Sequence, residues 1–164
     1  SDPANVPGEI LVRGANVFLG YFKNDDATDS VFTDDGWFKT GDMGVIDEDG
    51  CLFIKGRTKC MILGPSGQNI YPEEVETVIN SQPYVVDSLV VEDNGGLTAL
   101  IYPDFAQGAK DGMNQDVFIK FMEDTLPELN KELPNYAKLK KIEIMSEDFE
   151  RTPKKSIKRY LYQR

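Results

Sequence analysis

The chain has 164 residues, 40% hydrophobic and 28% charged, which suffices for one good core or two small ones. Its formal charge of −10 argues against a nucleic-acid binder, whose affinity would come from neutralising phosphates. The absence of histidine excludes His-based triads and His-ligated zinc within these 164 residues. Cys51 and Cys60 sit in no metal-ligand spacing and read as reduced structural residues.

No stretch approaches a membrane span and no signal peptide is visible. The opening Ser1–Asn5 reads as the edge of an excised piece. The glycine-bounded run from Gly8 to Gly14 predicts a strand. Val17 to Phe22 is apolar but brief, and its type is ambiguous. Asn24, Asp25 and Asp26 supply caps for a short helix through Phe32. Trp37–Thr40 reads as strand, then come Gly41 and Asp42. Val45–Ile46 and Cys51–Ile54 flank an Asp-Glu-Asp-Gly turn and predict a hairpin.

The polar stretch Gly56–Lys59 marks a boundary, with one domain over 1–57 and a second over 58–164. Beyond it, Cys60–Leu63 and Asn69–Tyr71 predict a second hairpin around Gly64–Gly67. Pro72 suits the first position of a helix, with Glu73 and Glu74 near its positive end. Val75, Val78 and Ile79 fall on one face of that helix. Val85–Val91 and Leu97–Tyr102 predict an antiparallel pair across Asn94-Gly95-Gly96. Phe118, Phe121, Met122, Leu126 and Leu129 form a helical stripe that Pro127 kinks or splits. Leu139–Met145 reads as the last strand. The expected fold is α+β: a small C-terminal domain with helices on a short, mainly antiparallel sheet, preceded by a β-rich segment. Tyr84, Tyr102, Phe118 and Phe121 fall at core periodicity, and core packing is also the better reading for Trp37.

Three segments carry chemistry: Phe38-Lys39-Thr40-Gly41-Asp42; Gly56–Lys59 continuing to Gly67–Glu76; and Thr152–Arg159. In this order, with Gly8–Gly14 ahead of them, they resemble the adenylate-forming superfamily. That superfamily comprises acyl-CoA synthetases, adenylation domains of peptide synthetases and firefly luciferase. The string Asn69–Glu74 and the ending Ile157–Tyr162 look most like bacterial long-chain fatty acid–CoA ligases. The resemblance implies an ATP-dependent reaction of a fatty acid to acyl-adenylate and pyrophosphate, then thioester formation with CoA. ATP, Mg2+ and CoA would serve the full-length enzyme, and the fragment would need none. The phosphate loop and acyl pocket of the family lie in a large N-terminal domain, of which residues 1–57 would be the β-rich end. The fragment alone is therefore expected to be inactive. Its exposed apolar face could drive self-association. A cytoplasmic location follows, with peripheral membrane association left open.

The same resemblance assigns roles by position. Asp42 would accept hydrogen bonds from the ribose hydroxyls, and Arg57 would approach the same sugar. Lys59 falls at the hinge of the mobile domain. Gly67 lies on the hairpin that enters the site for thioester formation. No metal ligand is expected. The family ends with a Thr-Pro-x-Gly-Lys-like motif whose lysine stabilises carboxylate and α-phosphate. Ser156 occupies that lysine position here, which makes Lys155 the substitute candidate. The basic cluster Arg151, Lys154, Lys155, Lys158 and Arg159 points to a phosphate-facing end. Two alternatives stay open: loading of a carrier protein, and a non-catalytic domain that keeps the fold.

Overall fold

Strand β1 (Gly8–Val12) pairs antiparallel with β2 (Phe38–Ile46), which pairs antiparallel with β3 (Leu52–Arg57). This computed structural model describes residues 6–164, so the opening Ser1–Asn5 lies outside it. Contacts divide the chain into two units, the first ending at Met61 and the second spanning Ile62–Arg164. The polar boundary at Arg57 is followed by a 3-10 turn over Thr58–Cys60.

In the first unit, α1 (Asp25–Val31) starts where the side chain of Asn24 accepts from the Ala27 amide at 3.1 Å. The Asp47 carboxylate organises the β2–β3 turn by accepting from the amides of Asp49 and Cys51, at 3.0 and 2.8 Å. One expectation needs correction. Trp37–Thr40 and Val45–Ile46 are not separate strands, because β2 runs unbroken through Gly41 and Asp42. Gly41 takes φ +74 and a register shift follows Met43, so the ladder bends without ending. Phe18 packs against Tyr21, Phe32 and Phe38. The buried positions among the described residues of this unit are Gly44 and Gly56. Leu19, Phe22 and Ile54 stand 100%, 89% and 69% exposed, and among the described residues of this unit no large apolar side chain is fully buried.

The second unit opens with the hairpin β4 (Ile62–Leu63) and β5 (Asn69–Ile70), then α2 (Pro72–Asn80). Helix α2 buries Pro72, Val75, Glu76 and Ile79, one stripe at helical spacing. Strands β6 (Val85–Asp93) and β7 (Gly96–Pro103) join through Asn94 and Gly95, both at positive φ, which matches the twist of a two-residue hairpin. Strand β8 (Leu139–Ile144) adds parallel to β7, giving the order β6-β7-β8.

Between β7 and β8 run three helices: α3 (Phe105–Lys110), α4 (Gln115–Glu123) and α5 (Leu126–Glu132). The sequence stripe anticipates α4 and α5, and the chain splits between them with Pro127 in the first turn of α5. Helix α3 is a structural addition, capped by the Asp104 carboxylate accepting from the Gln107 amide at 2.9 Å. The two faces of the sheet bury different partners. Val90, Ala99 and Ile101 join Ile79, Phe118 and Met122 in the larger core. Leu89, Val91 and Leu100 meet Phe149, Ile157 and Tyr162 on the other face. Helices therefore cover one side and the C-terminal tail covers the other. The architecture is mixed α/β, with helices on mostly antiparallel sheets and a β-rich stretch before them.

Candidate functional site

Asp42 and Arg57 are facing positions of β2 and β3. Arg57 Nη1 lies 3.0 Å from Asp42 Oδ1, and both side chains remain open to solvent. The position a Gly41 Cβ would take is an ordinary 3.5 Å contact from Arg57 Nη2, so it is the left-handed backbone at φ +74 that favours glycine there. Thr40 fixes the local backbone. Its hydroxyl donates to the Ile10 carbonyl at 2.8 Å and accepts from the Asp42 amide at 3.1 Å. The result is a solvent-accessible carboxylate–guanidinium pair across the adjacent strands β2 and β3, offering acceptors and donors side by side. Trp37 lies beneath Arg13, whose guanidinium carbon sits 4.6 Å from the ring centroid.

Lys59 is exposed within the 3-10 turn at Thr58–Cys60. Gly67 closes the β4–β5 turn at φ +81, its amide donating to the Gly64 carbonyl at 2.9 Å. No atom lies within 4 Å of the place its Cβ would occupy, so only the backbone conformation demands glycine there. The hairpin walls a cavity of about 400 Å³ whose far side holds Leu97, Tyr136, Lys138 and Lys140. The Lys140 stem lies over Gly96, and its ammonium donates to the carbonyls of Asn94 and Gly95, each at 3.3 Å. Sequence reasoning missed this cavity, because Lys138, just before β8, and Lys140, on it, meet the hairpin only through the fold.

Thr152–Ser156 forms a tight turn. The Thr152 amide donates to the Ser156 carbonyl and the Lys155 amide to the Thr152 carbonyl, both at 2.8 Å. Lys155 occupies the left-handed region at φ +64. That is the conformation a glycine at this place would supply, so the turn survives without one. Lys154, Lys155 and Ser156 are exposed at its tip.

Most cations of the basic tail are engaged within the chain. Arg151 reaches Asp87 at 2.7 Å and Asp148 at 3.0 Å. Lys158 reaches Glu150 at 3.0 Å, Arg159 pairs with Glu76, and Arg164 pairs with Glu143. Intramolecular carboxylates of this acidic chain take up those cations. Among the described residues, Lys154 and Lys155 are the basic residues of the tail that form no such pair.

The electrostatics follow the same geometry. Burial pushes the Glu76 carboxyl up, against the opposing pull of Arg159 and the Val90 amide. Hydrogen bonds from Arg164 and then Lys141 bring the Glu143 carboxyl down to about 2. Among the described residues, no group of three or more His, Cys, Asp or Glu side chains is placed to hold a metal ion, and no helix is long and apolar enough to cross a membrane.

A β-rich stretch that carries the Asp42–Arg57 pair precedes, along the chain, a small mixed α/β domain. Residues 60–164 match the AMP-binding enzyme C-terminal domain, and the chain belongs to that family. Among curated relatives, the long-chain-fatty-acid–CoA ligase FadD15 of Mycobacterium tuberculosis is 49% identical over 86 residues, 52% of this chain and 14% of that protein. The 2-succinylbenzoate–CoA ligase of Bacillus cytotoxicus is 47% identical over 89 residues, 54% of this chain and 18% of that protein. Among solved structures, ATP-bound MatB from Rhodopseudomonas palustris superposes with a TM-score of 0.73 at 33% identity, over 98% of this chain and 30% of its own. MenE of Bacillus subtilis, an O-succinylbenzoate coenzyme A synthetase solved with ATP and magnesium ion, gives 0.77 at 30% identity, over 96% and 30%. The chain thus spans less than a third of each of these four proteins.

Proposed function

We propose that this chain is the C-terminal part of an ATP-dependent acyl-CoA ligase whose acid is a fatty acid. The observation that supports the reading most directly is the Asp42–Arg57 pair, exposed on adjacent strands beside Gly41. Asp42 accepts hydrogen bonds from the vicinal ribose hydroxyls of ATP, and Arg57 lies against the same sugar. Lys59 sits at the hinge between the two half-reactions. Gly67 carries the hairpin that borders the thiol's path.

The substrate carboxylate attacks the α-phosphorus and pyrophosphate leaves. A CoA thiolate then attacks the acyl carbonyl and AMP leaves. Lys155 supplies positive charge to the developing phosphorane in place of Ser156, and its unpaired ammonium supports that role. Magnesium and the triphosphate are assigned to the rest of the protein, where the resembled family carries its phosphate loop. The acyl pocket is assigned there too, and the chain alone is inactive. Fatty acid is preferred for the Asn69–Glu74 string and the FadD15 similarity, although a 2-succinylbenzoate ligase matches at nearly the same identity.

Ser156 favours a second reading, a domain that keeps the fold without the chemistry. One experiment separates the two: acid-dependent pyrophosphate release by the full-length protein, with ATP, magnesium and acids from short to long chain. Release greatest with long-chain acids, followed by acyl-CoA on adding CoA, is expected. Loss with Lys155→Ala and little gain with Ser156→Lys would assign the charge to Lys155. No release with any acid, rescued by Ser156→Lys, would support the second reading.

A further inference from the structure

Two arginines flank the Thr152–Ser156 turn, and each ends on a carboxylate from another element of the second unit. Arg151, before the turn, reaches Asp87 on β6 at 2.7 Å. Arg159, after it, reaches Glu76 on α2, with Glu73 at 3.8 Å. Between them the backbone closes on itself. Arg151 and Ile157 form an isolated bridge, and the Lys158 amide donates to the Glu150 carbonyl at 2.8 Å. The turn is a closed unit with an anchor on either side.

Glu76 is an unusual anchor. It shares the buried stripe of α2 with Pro72, Val75 and Ile79, where helical periodicity asks for an apolar residue. It is 8% exposed, and one oxygen accepts from the Val90 amide at 2.7 Å while the other meets Arg159. An apolar side chain of similar volume would serve stability as well or better, since a buried ion pair recovers little beyond its desolvation cost. What the pair adds is direction: it fixes where residue 159, and so the turn before it, lies on the domain.

We propose that Glu76, acting through Arg159, is a positioning residue that holds the lysine-bearing Thr152–Ser156 turn in the place the adenylation step requires. The inference rests on the acyl-CoA ligase reading above. Glu76 touches no substrate in this role, and Asp87 with Arg151 is the companion anchor.

Glu76→Gln keeps the volume and an acceptor for the Val90 amide while removing the charge that orients Arg159. Trypsin cleavage at Lys154 and Lys155 in this chain, read by mass spectrometry, should accelerate about tenfold, with the melting temperature held within a few degrees. In the full-length protein, kcat for acid-dependent pyrophosphate exchange should fall about tenfold at unchanged KM for ATP. Transfer from pre-formed acyl-adenylate to CoA should be unaffected. Arg159→Lys, which keeps the charge and loses the fork, should lie between wild type and Glu76→Gln in both assays. It also serves if Glu76→Gln fails to fold.

Unchanged cleavage in both variants would overturn the proposal whatever the activity. Equal losses in the two half-reactions, or losses that track melting temperature, would reduce Glu76 to a structural residue and also overturn it. A wild-type protein that activates no acid would remove the reading beneath the proposal and its catalytic half with it. The cleavage comparison would still decide whether Glu76 holds the turn.

Discussion

Asp42 and Arg57 occupy opposed positions of β2 and β3, with Nη1 3.0 Å from Oδ1, and neither side chain is buried. A pair this exposed contributes at most about 1 kcal/mol to stability. Under the proposed function its value lies in the ribose contacts it presents. Asp42→Asn should leave the melting temperature of the chain nearly unchanged. In the full-length protein it should raise KM for ATP about 10- to 100-fold, the worth of about 1.5–3 kcal/mol for hydrogen bonds to a charged group. Steady-state kinetics on ATP would check this, and an unchanged KM would remove Asp42 from the ribose.

Gly67 separates conformation from contact. Its φ of +81 penalises a β-branched side chain by about 1–2 kcal/mol, although the space around its Cβ is empty. Gly67→Val should therefore deform the hairpin tip and slow thioester formation while acyl-adenylate still accumulates. Gly67→Asn, which tolerates the left-handed region, should behave nearly as wild type. Quantifying acyl-adenylate against acyl-CoA in single-turnover samples tests the pair of variants.

Gly108 on α3 works in the opposite way. A Cβ there would stand 2.8 Å from Phe118 Cδ2, and Phe118 is 1% exposed. Helix propensity favours Gly108→Ala by about 1 kcal/mol, but overpacking a rigid core costs about 1–3 kcal/mol. The net effect should be a lower melting temperature, and Phe118→Leu in the same chain should recover part of it. Thermal unfolding followed by circular dichroism would show the sign.

Glu143 gives the chain an acid-sensitive contribution. Hydrogen bonds from Arg164 and then Lys141 depress its carboxyl to about 2 from its ordinary value of 4.5. A depressed carboxyl stabilises the fold above its unfolded value and loses that contribution as pH falls through the folded one. The affected window is therefore about 4.5 down to 2. The arginine is well exposed, so screening holds the contribution to about 1 kcal/mol or less. Arg164→Ala should lower the melting temperature by a few degrees at pH 6 and converge on wild type near pH 2. Melting curves across that range would check the convergence.

Much of this protein was legible along the chain because local chemistry decided it. Asn24 caps α1, Asn94 and Gly95 make the β6–β7 turn, and Pro72 opens α2, each by a rule that acts over a few residues. The candidate residues Asp42, Arg57 and Gly67 came from ordered motifs. Helix α3 was not legible, since its six residues include a glycine and carry no clear apolar period.

The tail shows most clearly where the sequence stopped. A count of charges identifies six basic residues from Arg151 onward but not their partners, because Coulomb attraction acts through space. Asp87 and Glu76 lie 64 and 83 positions away from the arginines they bind. Local order along the chain determined the elements, the turns and the ordered motifs. Only the tertiary structure decided which cations are spent on internal carboxylates and which, Lys154 and Lys155, are left at the surface, since that choice depends on how α2, β6 and the tail pack against one another.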